Sequence, residues 1–104
     1  QPMPFTLKLT GCPPGAASIT FSGKADGSNS GLLALNDAST ASHVAVEIRD
    51  ADKTRLALQQ ASQPVTVDAQ GNATLSFYAN YIATADNPQP GRADADATFM
   101  INYN

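Results

Sequence analysis

The sequence predicts an all-β fold, a sandwich or a barrel, and three observations carry that prediction. Apolar residues recur at every second position in about seven short runs, the period of a strand with one buried face. Gly, Pro, Asn and Asp separate these runs at roughly every 8–12 residues, as they do in β-sandwiches. The chain is 104 residues long, which bounds it to one domain, 1–104, with one modest core. Eighteen alanines count against strands by propensity, but most are the small partner in an alternating run, which suits close sheet packing.

The elements follow in order. In 5–10 (FTLKLT), Phe5, Leu7 and Leu9 share one face and Thr6, Lys8 and Thr10 the other. Gly11-Cys12-Pro13-Pro14-Gly15 ends that strand, since proline cannot donate to a ladder. The alternation resumes in 17–24 through Ile19 and Phe21, and the polar, glycine-bearing stretch 25–30 reads as a loop. Leu32-Leu33-Ala34-Leu35 fits either a short strand or a turn of helix. In 43–49 (HVAVEIR), Val44, Val46 and Ile48 point inward while His43, Glu47 and Arg49 point outward. Asp50-Ala51-Asp52-Lys53 is a hairpin turn, because Asp accepts hydrogen bonds from its own turn. Arg55 to Ala61 has helical propensity, but its shortness and its place between strands favour strand then loop. Val65 and Val67 mark another strand, and Asp68 to Gly71 another turn. Residues 72–84 place Leu75, Phe77, Ala79 and Tyr81 on one face. An irregular loop holds Pro88, Pro90 and Gly91. The final strand runs from Ala93 through Ala95, Ala97, Phe99, Ile101 and Tyr103 on one face, with Asp94, Asp96, Thr98, Met100 and Asn102 on the other.

Composition excludes several classes of function. Six Lys and Arg residues are scattered and outnumbered by nine acids, for a net charge of −3. Nucleic acid is therefore not an expected partner, because its recognition needs clustered cations. No apolar run approaches the roughly 20 residues of a membrane-spanning helix, and the first residues lack a signal-peptide pattern. The single histidine, His43, has no local nucleophile or orienting acid, so catalysis is not expected. Asp94 and Asp96 share a strand face and could mimic a carboxylate pair, but a solvated face explains them as well. Asp50 and Asp52 lack the later acids and the glycine of a calcium loop. No catalytic residue, metal site or cofactor is assigned. Asn72-Ala73-Thr74 matches a glycosylation triplet that is common by chance. Cys12, the only cysteine, is open to two readings: a small buried hydrophobe, or a thiol whose partner lies outside this chain.

The last strand carries Phe99, Ile101 and Tyr103 almost to Asn104. Termini usually fray, so this segment reads either as an ordinary core strand or as an edge that accepts a strand from another chain. Here the sequence resembles the chaperone–usher pilins, most closely the major-subunit type of type 1 fimbriae. The resemblance rests on FTLKLTGC (5–12), LLALN (32–36), HVAVEIRD (43–50), LSFYANYIAT (75–84) and PGRADADATFMINY (90–103). Its specific marks are a glycine fourteen residues from the end, Gly91, and a penultimate tyrosine, Tyr103, preceded by alternating hydrophobics.

The resemblance implies an incomplete immunoglobulin-like β-sandwich, the pilin fold lacking its final strand. It implies a groove beside the C-terminal strand, lined by Phe99, Ile101 and Tyr103, with Gly91 at its far end. Asn104 supplies a terminal carboxylate for the chaperone's basic residues. Cys12 matches the second cysteine of the family's disulfide, its partner absent from this chain. The implied partners are neighbouring pilin subunits, a periplasmic chaperone and the outer-membrane usher, and the implied location is a bacterial surface fimbrium reached through the periplasm. Pilins of this type carry a donor extension and a first-cysteine strand ahead of the segment that begins here near Phe5. The chain is thus expected to be N-terminally truncated relative to the family. A second open edge beside 5–10 is expected from this, covered by another chain or in a strand-swapped oligomer. The function implied is a structural, non-enzymatic pilus subunit that polymerises by donor-strand exchange into an adhesive fibre. The alternatives are the pilin domain of a tip adhesin or minor subunit, or a stand-alone carbohydrate-binding sandwich for which Tyr78 is the best exposed aromatic.

Overall fold

The computed structural model describes residues 2–89 and 91–104, so Pro90 of the predicted loop lies outside the described residues. Seven strands are present among them: β1 (Met3–Leu9), β2 (Ala16–Gly23), β3 (Leu33–Ala34), β4 (Val44–Arg49), β5 (Val65–Thr66), β6 (Ala73–Ala83) and β7 (Ala97–Tyr103). They form two antiparallel sheets, one of order β1-β6-β4-β3 and one of order β5-β2-β7. This is the predicted all-β sandwich.

The period-2 pattern sets which faces meet. Phe5, Leu7 and Leu9 of β1 lie opposite Phe77, Leu75 and Ala73 of β6, and residues directly opposite one another in an antiparallel pair share a face. Ala17, Ile19 and Phe21 of β2 likewise lie opposite Tyr103, Ile101 and Phe99 of β7. The two apolar faces close on one another around Ile19, Phe21, Leu75 and Phe77, joined by Leu56 and Val67 from the connections. Phe77 bridges the layers, its ring 5.0 Å from that of Phe21 and 5.5 Å from that of Phe5. Edge-on and offset contacts of this kind add to the gain from buried area.

Turn chemistry closes the lower end of the sandwich. Asp68 accepts hydrogen bonds from the Gln70 and Asn72 amides, each 2.9 Å. Gly71, at φ 82°, brings its carbonyl within 2.9 Å of the Cys12 amide. A Cβ at Gly71 would sit 3.3 Å from the Cys12 carbonyl oxygen, so the left-handed conformation and the close approach both favour glycine.

One open reading is decided and two expectations are corrected. Of Leu32–Leu35, Leu33–Ala34 forms the short strand β3. Residues 55–63 are neither helix nor continuous strand; Arg55 bridges to Arg49 and Ala61 bridges to Thr20. Glu47, predicted to face outward into solvent, is buried, because Arg49 and Arg55 fold over it with nitrogen-to-oxygen distances of 2.7 Å each.

Candidate functional site

The candidate site is the open side of the sandwich, between β1 and β7. Each of these strands pairs on one side only, β1 with β6 and β7 with β2. Among the described residues the other edge of each has no strand partner. The side chains β7 turns toward the core are consequently half uncovered: Phe99 is 47% exposed and Tyr103 44%. Their partners on β2, Phe21 and Ala17, are buried. The Phe99 ring stands 6.4 Å from that of Phe21. On the opposite rim Met3 is 66% exposed while Phe5 is partly covered.

Toward the start of β7 the open side deepens into a cleft of about 300 Å³. Met3 and Phe5 form one wall and Ala95 and Ala97 the other, with Leu33, Val46, Ile48 and Ala79 beneath and Tyr81 at one end. The recess exists because the apolar face of β7 and of the segment leading into it changes from large residues at 99, 101 and 103 to alanines at 97 and 95. An open apolar groove with an unpaired backbone edge can accept an extended peptide. Such a peptide gains ladder hydrogen bonds and places alternate side chains in the groove.

The sequence-predicted residues are distributed as follows. Phe99, Ile101 and Tyr103 lie together on the inner face of β7. Asn104 continues the ladder to β2, its amide 2.9 Å from the Ala16 carbonyl oxygen. Gly91 stands outside the cleft wall and packs against the 40–41 loop, where a Cβ would lie 2.6 Å from Thr40 Oγ1. Cys12 is a buried free thiol. The Cys12 side chain beside the Tyr103 hydroxyl, together with burial, raises the phenol above its ordinary value. The cleft residues Met3, Phe5, Ala95, Ala97 and Tyr81 were not singled out from the sequence as a site. The signal available was their phase, since Ala95 and Ala97 alternate with Phe99, and Tyr81 with Phe77.

The other candidates have structural employment. Asp50 is buried and accepts from the Gln63 amide at 2.8 Å and the Ala51 amide at 2.8 Å. Asp94 pairs with Arg92 at 2.9 Å, and Asp96 accepts from Asn36 at 3.2 Å. His43 is exposed at the head of β4, its Nδ1 3.3 Å from the Asn87 carbonyl oxygen. Tyr78, the aromatic required by a carbohydrate-binding reading, is half-buried, with Lys53 Nζ 5.5 Å from its ring centroid.

The whole chain, residues 1–104, matches the family described as Fimbrial protein. The chain belongs to that family, the chaperone–usher pilins. It is 62% identical over 104 residues to the Fimbrial-like protein FimF of Salmonella typhimurium, covering 100% of this chain and 60% of that protein. It is 39% identical over 111 residues to the Fimbrial subunit type 1 of Salmonella typhimurium, covering 97% of this chain and 58% of the relative. The chain thus spans about three-fifths of the length of the curated relatives it matches. The crystal structure of a Burkholderia pseudomallei antigen and type I fimbria protein superimposes with a TM-score of 0.84 at 30% identity, covering 99% of this chain and 68% of that one. The pilin family is made of structural fimbrial proteins rather than enzymes, and fimbrial proteins are components of surface fimbriae.

Proposed function

We propose that this pilin is built into a surface fibre by strand addition at the open side of its sandwich. An extended segment of a neighbouring subunit lies along the free edge of β7, and its alternate apolar side chains enter the cleft beside Ala95 and Ala97. The observation that carries this reading is that Phe99, Ile101 and Tyr103 face the core beside an unpaired backbone edge, with Phe99 and Tyr103 about half uncovered and Ile101 only partly buried. An uncovered edge of this kind invites aggregation, which supports a periplasmic chaperone as an earlier occupant of the same groove and the outer-membrane usher as the place of exchange. Completing the burial of Phe99 and Tyr103 contributes about 1 kcal/mol each, roughly half the 1.5–3 kcal/mol of a whole apolar side chain. Ladder hydrogen bonds along the strand add to that. Subunit-to-subunit addition is heterologous and does not close on itself, so its product is a filament. Gly91 contributes by letting the chain pass close to Thr40 on its way to β7, and Asn104 by extending the ladder on β2.

The much higher identity to the FimF relative than to the type 1 subunit favours a minor subunit of the fibre over a major one, against the major-type resemblance noted from the sequence. Co-purification with the chaperone tests the groove: replacing Tyr103 with Asp is expected to abolish capture. Undiminished capture would overturn the assignment.

A further inference from the structure

The backbone of β7 shows where an added strand must stop. Asn104 and Ala16 exchange hydrogen bonds, with the Asn104 amide to the Ala16 carbonyl at 2.9 Å and the return bond at 3.4 Å. In an antiparallel ladder such hydrogen-bonded pairs alternate with pairs whose N–H and C=O groups point away from each other. The register Ala17↔Tyr103 through Gly23↔Ala97 therefore turns the backbone groups of residues 98, 100 and 102 toward β2. Those of residues 97, 99, 101 and 103 turn toward the open edge. The same alternation continues upstream of the strand. Arg92 and Asp94 turn to the other side: Thr40 and Ala41 amides donate to the Arg92 carbonyl, the Asn36 amide donates to the Asp94 carbonyl at 2.7 Å, and the Arg92 and Asp94 amides donate to the hydroxyls of Thr40 and Ser39. Ala93 lies between them in the phase of the open edge, and its carbonyl accepts a hydrogen bond from the Tyr81 hydroxyl at 2.9 Å.

Resting on the strand-addition reading above, we infer that Tyr81 is the end stop of the groove. Its hydroxyl occupies the last open-edge acceptor and confines pairing of an incoming strand to residues 95–103. Tyr81 stands on β6 at the end of the cleft, 57% exposed, with its ring available as the wall against which the strand's last side chain packs. Among the described residues no other hydrogen bond joins β6 to 91–97. The stop is thus one side chain, a positioning residue that sets register. Register matters here because a one-residue slip would turn every apolar side chain of the added strand away from the cleft.

The test uses the chain refolded with synthetic extended peptides of seven, nine and eleven residues, apolar at alternate positions, lengthened at one end or the other in separate series. For the unsubstituted chain, affinity is expected to rise up to the length that spans 95–103 and then to level off, with less than a twofold gain from two further residues. In the Tyr81→Phe chain, which keeps the ring and frees the Ala93 carbonyl, those two residues are expected to add about fivefold to tenfold, the worth of one added hydrogen bond. Hydrogen exchange is expected to show the corresponding peptide amide protected only in the Tyr81→Phe complex. Equal length dependence in the two chains, or continued gain with length in the unsubstituted one, would overturn the end stop while leaving the groove intact. Failure of every peptide to bind would overturn the groove and the stop together.

Discussion

The sheet β5-β2-β7 has two edges, and the chain treats them in opposite ways. On the β5 side the strand is only two residues long, yet β2 is not left bare. The irregular stretch 55–63 lies along it, with the Ser62 amide donating to the Ile19 carbonyl at 2.8 Å, the Ile19 amide to Ser62 Oγ at 2.8 Å and the Gln59 amide to the Phe21 carbonyl at 2.8 Å. Leu56 plugs the core from the same stretch at 3% exposure, and Asp50 and Glu47 fasten it through Gln63 and Arg55. On the β7 side an edge of seven residues carries half-uncovered aromatics, and among the described residues no loop folds over it. The difference is between an edge held by the chain's own loop and an edge that, on the strand-addition proposal, is held by another subunit.

The covered side is expected to be the more costly one to damage. Leu56→Ala removes a buried side chain from a small core and should cost about 2–5 kcal/mol by urea denaturation, the range for large-to-small core changes. A loss below about 1 kcal/mol would show that the 55–63 stretch is not part of the folded core. The mirror experiment is Phe99→Asp on the open side. Its side chain is already 47% exposed, so the urea midpoint should move little. Capture of a chaperone or a donor peptide should fall about a hundredfold, equivalent to about 2.7 kcal/mol. A large loss of stability with intact capture would reverse the roles assigned to the two edges.

Much of this contrast was legible in the sequence, but not all for the same reason. The strands β1, β2, β4, β6 and β7 each show period-2 alternation, because a two-layer sandwich imposes local periodicity on every strand. Phe99, Ile101 and Tyr103 stood out for that reason, although periodicity alone left them equally readable as an ordinary core strand. The start of the last strand was read at Ala93, whereas the ladder with β2 begins at Ala97. Residues 92–94 keep the extended alternation but spend it on Ser39, Thr40 and Asn36, partners whose place depends on a distant loop. Glu47 was assigned to a solvated face because its own strand puts it on the outer side. Its burial comes from Arg55, eight residues on, swinging back across β4. The cleft is likewise a product of assembly, since Met3, Ala97 and Tyr81 come from three strands in two sheets.

The covered edge can also be loosened one bond at a time. Ser62→Ala leaves the buried Ile19 amide without its acceptor at 2.8 Å, and an unsatisfied buried donor costs about 1–2 kcal/mol. Thermal unfolding should show this loss, while hydrogen exchange should speed up at Ile19 and Phe21 and stay unchanged along β7. Equal acceleration on both sides of β2 would mean that the two edges open as one unit.

The smallest effect separates the edges by pH. Burial raises the Glu47 carboxyl, but hydrogen bonds from Arg55 and Arg49, the Arg55 charge and a contact with Asn80 outweigh it and hold the group below its ordinary value of 4.5. A carboxylate depressed in the folded state gives stability that is full above the unfolded value and is lost as pH falls through the folded one. Both arginines are partly exposed, with side chains 31% and 45% accessible, so solvent screening limits the contribution to about 1 kcal/mol. Glu47→Gln should therefore unfold at a lower temperature than the unsubstituted chain at pH 7, and the gap should narrow as pH drops below about 4.5. The open edge presents no carboxylate side chain along β7 from Ala97 to Tyr103, so peptide affinity in the two chains should follow the same pH profile. A gap that widens in acid would show that the arginines do not stabilise the ionised Glu47.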